Sequence, residues 1–155
     1  MQFKHVTLDF DGPVAILKLD HQEVMNAVSM DMLGGLGEAL DAIDDKRAEV
    51  RCLVLTGAGR AFCTGANLQG RNNQKPGKSN AGQSLEIGFH PFLRRLRKLH
   101  CPIVTAVNGP AAGAGMSFRA DGRHDPVRAL VLFPAGVPPH RPGAGLRLDL
   151  AAAAA

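Results

Sequence analysis

The sequence predicts an α/β fold, and three observations carry that expectation. Short apolar runs with strand character recur along the chain, runs of helical period separate them, and two of the strands open into segments built almost wholly of small residues. With 155 residues, 45% of them hydrophobic, the chain can bury one core of its own and is too apolar to remain disordered.

Taken in order, Val6 to Phe10 alternate apolar and polar, Asp11-Gly12-Pro13 supplies a turn, and Val14 to Leu19 reads as a second, more buried strand, so a hairpin opens the domain. Ser29 is placed to cap a helix whose apolar positions Met32, Leu33, Leu36, Leu40 and Ile43 recur at spacings of three and four. Gly34, Gly35 and Gly37 each weaken that helix by about 1 kcal/mol relative to alanine, which points to close packing against a neighbour. Cys52 to Thr56 is a short apolar strand. The polar stretch from Arg71 to Gln83 reads as a loop, followed by a helix with Leu85, Phe89, Phe92, Leu96 and Leu99 on one face. Pro102 to Val107 is a further strand, ending at Asn108-Gly109-Pro110.

Composition excludes several classes of function. No apolar run approaches the roughly 18 residues of a membrane span, and Met1 to Phe10 lacks the pattern of a signal peptide, so a cytoplasmic location with no membrane partner is expected. The net charge of +4 suits an anionic partner, but a chain without Trp or Tyr lacks the stacking groups usual in nucleic-acid binding, and none is expected. Cys52, Cys63 and Cys101 are odd in number and have no CxxC spacing, so neither disulfides nor a zinc site is expected. His5, His21, His90 and His100 lack paired spacing and read as surface or core-edge residues, so no metal site is expected. Arg94-Arg95-Leu96-Arg97-Lys98 reads as a solvated helix face or as a contact for phosphates.

The chemistry-bearing part is the pair of small-residue segments, Ala61-Phe62-Cys63-Thr64-Gly65-Ala66-Asn67-Leu68 and Val107-Asn108-Gly109-Pro110-Ala111-Ala112-Gly113-Ala114-Gly115-Met116. Each exposes backbone, and a helix starting near Gly113 would turn free N–H groups towards an oxygen gaining negative charge. Either segment taken alone would also serve as a tight turn. Together, and with Val24-Met25-Asn26-Ala27 and Leu53-Val54-Leu55-Thr56-Gly57, they resemble the enoyl-CoA hydratase and isomerase family, the crotonases, over nearly all of residues 1–118. The resemblance implies a spiral of ββα units and an acyl-coenzyme A thioester as ligand, with no cofactor beyond the coenzyme carried by the substrate. It implies that the backbone N–H groups of Ala66 and Ala114 hold the thioester carbonyl as an oxyanion hole. It further implies that Val24, Met25, Ala27, Cys63, Gly65, Ala66, Asn67, Leu68, Gly113 and Ala114 line the substrate groove. The family forms homotrimers and paired trimers.

The chain also departs from that pattern. Ser117 stands where the family's hydratases carry the first of two glutamates, so double-bond or ring isomerisation is favoured, with enoyl-CoA hydration and a non-catalytic acyl-CoA-binding fragment as the alternatives. The sequence around Asn108 to Gly115 is nearer to the isomerases, including the ring-epoxide isomerases of phenylacetate degradation. Asn67 replaces the aspartate common at its position and is expected to shape the loop; Cys63, without a base nearby, is expected to pack rather than attack. After Phe118 the resemblance stops, which divides the chain into a core at 1–118 and a tail at 119–155 rich in Pro, Gly and Ala. The tail reads as a shifted frame. Moved by one base, the codons of Arg119 to Asp125 permit Ala-Leu-Met-Gly-Asp-Met-Ile, and those of His140 to Leu150 permit Ile-Gly-Leu-Val-Pro-Asp-X-Gly-Ser-Thr-Trp. On that reading Gly145 stands in place of the catalytic aspartate, the tail is disordered, the helices that build the trimer are lacking, and the truncated chain is inactive. A genuine low-complexity tail is the alternative.

Overall fold

The hairpin places the first two long strands, β2 (Val6–Asp11) and β3 (Val14–Leu19), antiparallel about a two-residue turn at Gly12 and Pro13, with Gly12 at φ 53°. The computed structural model describes residues 1–67, 88–120 and 129–132. A short strand before the hairpin, β1 (Gln2–Phe3), pairs antiparallel with β2 around a turn in which His5 takes φ 58°. Two residues carry too little periodicity to announce such a strand.

From β3 the chain enters α1 (Met30–Asp45), capped as expected: the Ser29 hydroxyl accepts the Met32 N–H at 3.1 Å. The helix returns the chain to β4 (Cys52–Gly57), parallel to β3. Residues 90–97 form α2 (His90–Arg97), which ends before β5 (Ile103–Ala106), parallel to β4. The start expected for this helix at Leu85, and the loop expected at Arg71 to Gln83, lie outside the described residues. Strand β5 begins after Pro102 because proline has no N–H for the ladder, although its carbonyl still accepts the Leu53 N–H at 2.9 Å.

Two described elements reach beyond residue 118, where the expected core ends. Helix α3 (Ala114–Ala120) runs past it, and Ala129–Leu132 forms β6, parallel to β5 in the register Ile103↔Ala129 to Ala106↔Leu132. The run Ala-Leu-Val-Leu has strand character, and the free edge of β5 offers it unpaired N–H and C=O groups. The rest of the tail lies outside the described residues. Among the described residues six strands form one sheet and stand in sequence order, β1 to β6.

One face of the sheet carries Leu8, Leu17, Leu19, Leu53 and Leu55, all fully buried in one core with Met32, Leu36, Leu40 and Ile43 of α1. Burying a side chain of this size contributes roughly 1.5–3 kcal/mol. Of the three helix glycines, only Gly35 is held by packing: a Cβ there would stand 2.5 Å from the Lys4 carbonyl oxygen. Gly34 faces open space, and Gly37 has room, its nearest neighbour being Arg95 at 3.8 Å. The expected explanation therefore applies to one glycine of three. Helix α3 is anchored by Phe118, whose ring meets Phe92 edge-on at 5.7 Å and Phe89 at 5.3 Å, and whose carbonyl accepts the Thr105 hydroxyl at 3.4 Å.

Candidate oxyanion site

Three segments converge beyond the carboxyl ends of β3, β4 and β5. The first follows β3, where a 3₁₀ turn at Gln22–Val24 ends with Met25 at φ 51° and Asn26 at φ 56°. The second follows β4, and the third follows β5. In a parallel sheet these ends carry the connections that are free to form a site.

The first two segments are joined by backbone. Val28 N–H donates to the Gly65 carbonyl at 2.7 Å, Asn67 N–H to Val28 at 2.8 Å, and Thr64 N–H to Met25 at 3.3 Å. The Thr64 hydroxyl adds contacts to the Val24 and Met25 carbonyls at 3.3 and 3.2 Å. The second and third are joined in the same way: Phe62 and Cys63 N–H groups donate to the Pro110 carbonyl at 3.1 and 3.2 Å, and Ala112 N–H donates to Cys63 at 3.0 Å. This contact needs small residues. A Cβ on Gly109 would overlap the Arg60 carbonyl oxygen, and one on Gly115 would overlap that of Cys63.

At the centre, Gly65 stands at φ 104° and Gly113 at φ 52°, conformations that favour glycine. A Cβ on Gly113 would lie 3.4 Å from the Gly65 Cα, so the two glycines are in contact. Each is followed by the alanine expected to supply an oxyanion donor. Ala66 is exposed and Ala114 half-buried, and among the described residues no hydrogen-bond acceptor serves either amide. Two adjacent unpaired N–H groups can stabilise an oxygen that gains negative charge.

The other expected groove residues are distributed around this centre. Val24 and Met25 carry the carbonyls that hold Thr64, Ala27 and Cys63 are buried beneath, and Asn67 sits at the rim with its N–H on Val28. Leu68 lies outside the described residues. Burial pushes the Cys63 thiol up to about 11, which leaves it protonated at neutral pH and unsuited to nucleophilic attack. Beside the first segment is a cleft lined by Gln22, Met25, Ala58, Arg60 and Ala61, with the exposed Arg60 as its cation. From the basic cluster, Arg95 turns to Asp41 of α1 rather than to this site.

Sequence reasoning gave no role to Asn26 and Asn108, which prove to organise the site. Asn26 is fully buried and bonded on both sides of its amide, and Asn108 binds the turn after β4. The tolerance of asparagine for positive φ was the available signal at position 26; position 108 had none, because its partners lie some fifty residues away. Elsewhere, the rings of His5 and His21 stack 3.7 Å apart, and His100 meets the Val50 carbonyl at 3.0 Å. Among the described residues no three His, Cys, Asp or Glu side chains gather as a metal site, and no helix is long and apolar enough to cross a membrane.

A family model described as Enoyl-CoA hydratase/isomerase matches residues 9–121. The chain is 41% identical over 110 residues to a 1,2-epoxyphenylacetyl-CoA isomerase of Escherichia coli (strain K12), covering 70% of this chain and 42% of that protein. It is 36% identical over 118 residues to a probable enoyl-CoA hydratase of Rhodobacter capsulatus, covering 76% of this chain and 44% of the relative. Among solved structures, an enoyl-CoA hydratase from Polaromonas sp. JS666 superimposes with a TM-score of 0.66 at 33% identity, over 75% of this chain and 45% of that one. The chain thus spans less than half the length of these relatives.

Proposed function

The chain belongs to the enoyl-CoA hydratase/isomerase family, and on that premise we propose that it binds an acyl-coenzyme A thioester whose carbonyl oxygen accepts the N–H groups of Ala66 and Ala114. The observation that carries this reading is the pair of amides without acceptors, each following a glycine of positive φ, with the two glycines in contact. When a proton leaves the carbon next to a thioester carbonyl, charge moves onto that oxygen, and both hydrogen bonds strengthen as it does. A donor in this position is typically worth about 3–4 kcal/mol. The coenzyme runs along Val24, Met25, Ala27, Cys63, Gly65, Asn67 and Gly113, and Arg60 offers its phosphates a cation.

The chemistry that fits is movement of a double bond or isomerisation of a ring. Hydration needs a carboxylate to position water, and Ser117 occupies the position at which the resemblance would put a glutamate. Neither residues 62–67 nor 107–118 contain an Asp or Glu. These two segments can therefore stabilise charge but cannot themselves transfer a proton, and the inactive form of the proposal is that the chain binds the thioester without turning it over.

Calorimetric titration of the full chain with acetyl-CoA, crotonyl-CoA and free coenzyme A tests the reading. The expected result is saturable binding of both thioesters, tighter than that of the free coenzyme, with crotonyl-CoA recovered unchanged. A folded chain that binds neither thioester refutes the proposal, and consumption of crotonyl-CoA refutes its inactive form.

A further inference from the structure

We propose that Asn26 and Asn108 act as a paired clamp that sets the spacing of the Ala66 and Ala114 amides, which makes them positioning residues for the bound carbonyl. The geometry stands by itself, while its purpose rests on the acyl-thioester reading above.

Asn26 has no exposed surface. Its Oδ1 accepts the His21 N–H at 2.8 Å, and its Nδ2 donates to the carbonyls of Ala58 at 2.9 Å and Ala61 at 2.8 Å. The reverse amide orientation would set an oxygen against two carbonyls, so the network permits one only. Asn108 approaches the same turn from the far side. Its Oδ1 accepts the Gly57 N–H at 3.1 Å, and its Nδ2 donates to Gly59 at 2.9 Å and reaches Ala61 at 3.5 Å. The turn after β4 is thus held by two side chains that share the Ala61 carbonyl.

Each asparagine stands at the root of a segment that carries or supports a donor. Two residues beyond Asn26, Val28 holds the Gly65 carbonyl next to Ala66; two residues beyond Asn108, Pro110 holds Phe62 and Cys63 on the way to Ala114. Releasing either clamp frees its segment to shift relative to the other. A hydrogen bond to the thioester oxygen weakens steeply as its distance and angle depart from ideal, so a device that fixes this spacing decides how strongly the bound carbonyl is polarised.

Hydrogen exchange on the full chain tests the clamp without any ligand. The amides of Val28, Thr64 and Ala112, which tie the three segments together, should open as one unit. Asn26→Gly removes the side chain while keeping the positive φ, and Asn108→Ser shortens the other arm. Either variant should speed exchange at all three amides, on the order of tenfold. Acceleration confined to the mutated segment overturns the clamp, and the second variant decides the matter should the first not fold. The positioning role is read from a cinnamoyl-CoA thioester, whose absorption moves to longer wavelength as its carbonyl is polarised. At saturation the unmodified chain should show this shift and both variants a smaller one. An undiminished shift in the folded variants overturns the positioning role. No shift with the unmodified chain overturns the acyl-thioester reading and the positioning role with it, and the exchange data then decide the clamp alone.

Discussion

Replacing Gly115 by alanine tests whether the contact between the second and third loops is as close as the structure makes it. The added Cβ would overlap the Cys63 carbonyl oxygen and stand 2.9 Å from the Cys63 Cβ and 3.0 Å from its carbonyl carbon. That carbonyl cannot move freely, because it accepts the Ala112 N–H, and the Cys63 N–H is bound to Pro110. Forcing a methyl group into a packed site costs typically 1–3 kcal/mol, and backbone on both sides puts this one at the upper end. The gain in helix propensity at the start of α3 returns at most about 1 kcal/mol. The net expectation is a loss of about 2 kcal/mol, or a fall in Tm of roughly 4–8 °C for a domain of this size. Thermal unfolding followed by circular dichroism measures it, and acetyl-CoA titration of the same variant should show weakened binding, since the Ala114 N–H moves with the helix start. An unchanged or raised Tm would refute the packing argument; a lowered Tm with unaltered thioester binding would refute the place given to Ala114.

Other consequences follow from single residues. Gly34→Ala, in open space on α1, should raise stability by about 1 kcal/mol, whereas Gly35→Ala should lower it because its Cβ meets the Lys4 backbone; opposite shifts in urea midpoint check both. Ser29→Ala removes the acceptor of the Met32 N–H and should cost about 1 kcal/mol by the same assay. Because burial raises the Cys63 thiol from 9.0 to about 11, the folded chain keeps a proton that the unfolded chain gives up across that range. Stability should therefore decline as pH rises from about 9 to 11, with a shallower decline in Cys63→Ala. Iodoacetamide at pH 8 should label Cys63 only after unfolding, and rapid labelling of the native chain would contradict its burial.

Much of this protein was legible along the chain because its signals are local. The period-two alternation of β2, the turn at Gly12-Pro13, the Ser29 cap and the spacing of Met32, Leu36, Leu40 and Ile43 each depend on residues within a few positions of one another. The small-residue segments were equally plain, and the family resemblance they carry is matched by the family model. The strand at Ala129–Leu132 was not foreseen, since a run of four apolar residues becomes a strand only where an edge with free N–H and C=O groups receives it, here β5.

The site divides in the same way. Local sequence determined that Ala66 and Ala114 each follow a glycine able to take positive φ. Only the tertiary structure decided that these glycines touch, that Gly115 gives way to the Cys63 carbonyl, and that Asn26 and Asn108 meet at the carbonyl of Ala61. The physical reason is the range of the interaction: a cap or a turn is satisfied by neighbours in sequence, but the partners of a buried asparagine are whichever backbone groups the folded sheet leaves without a ladder bond.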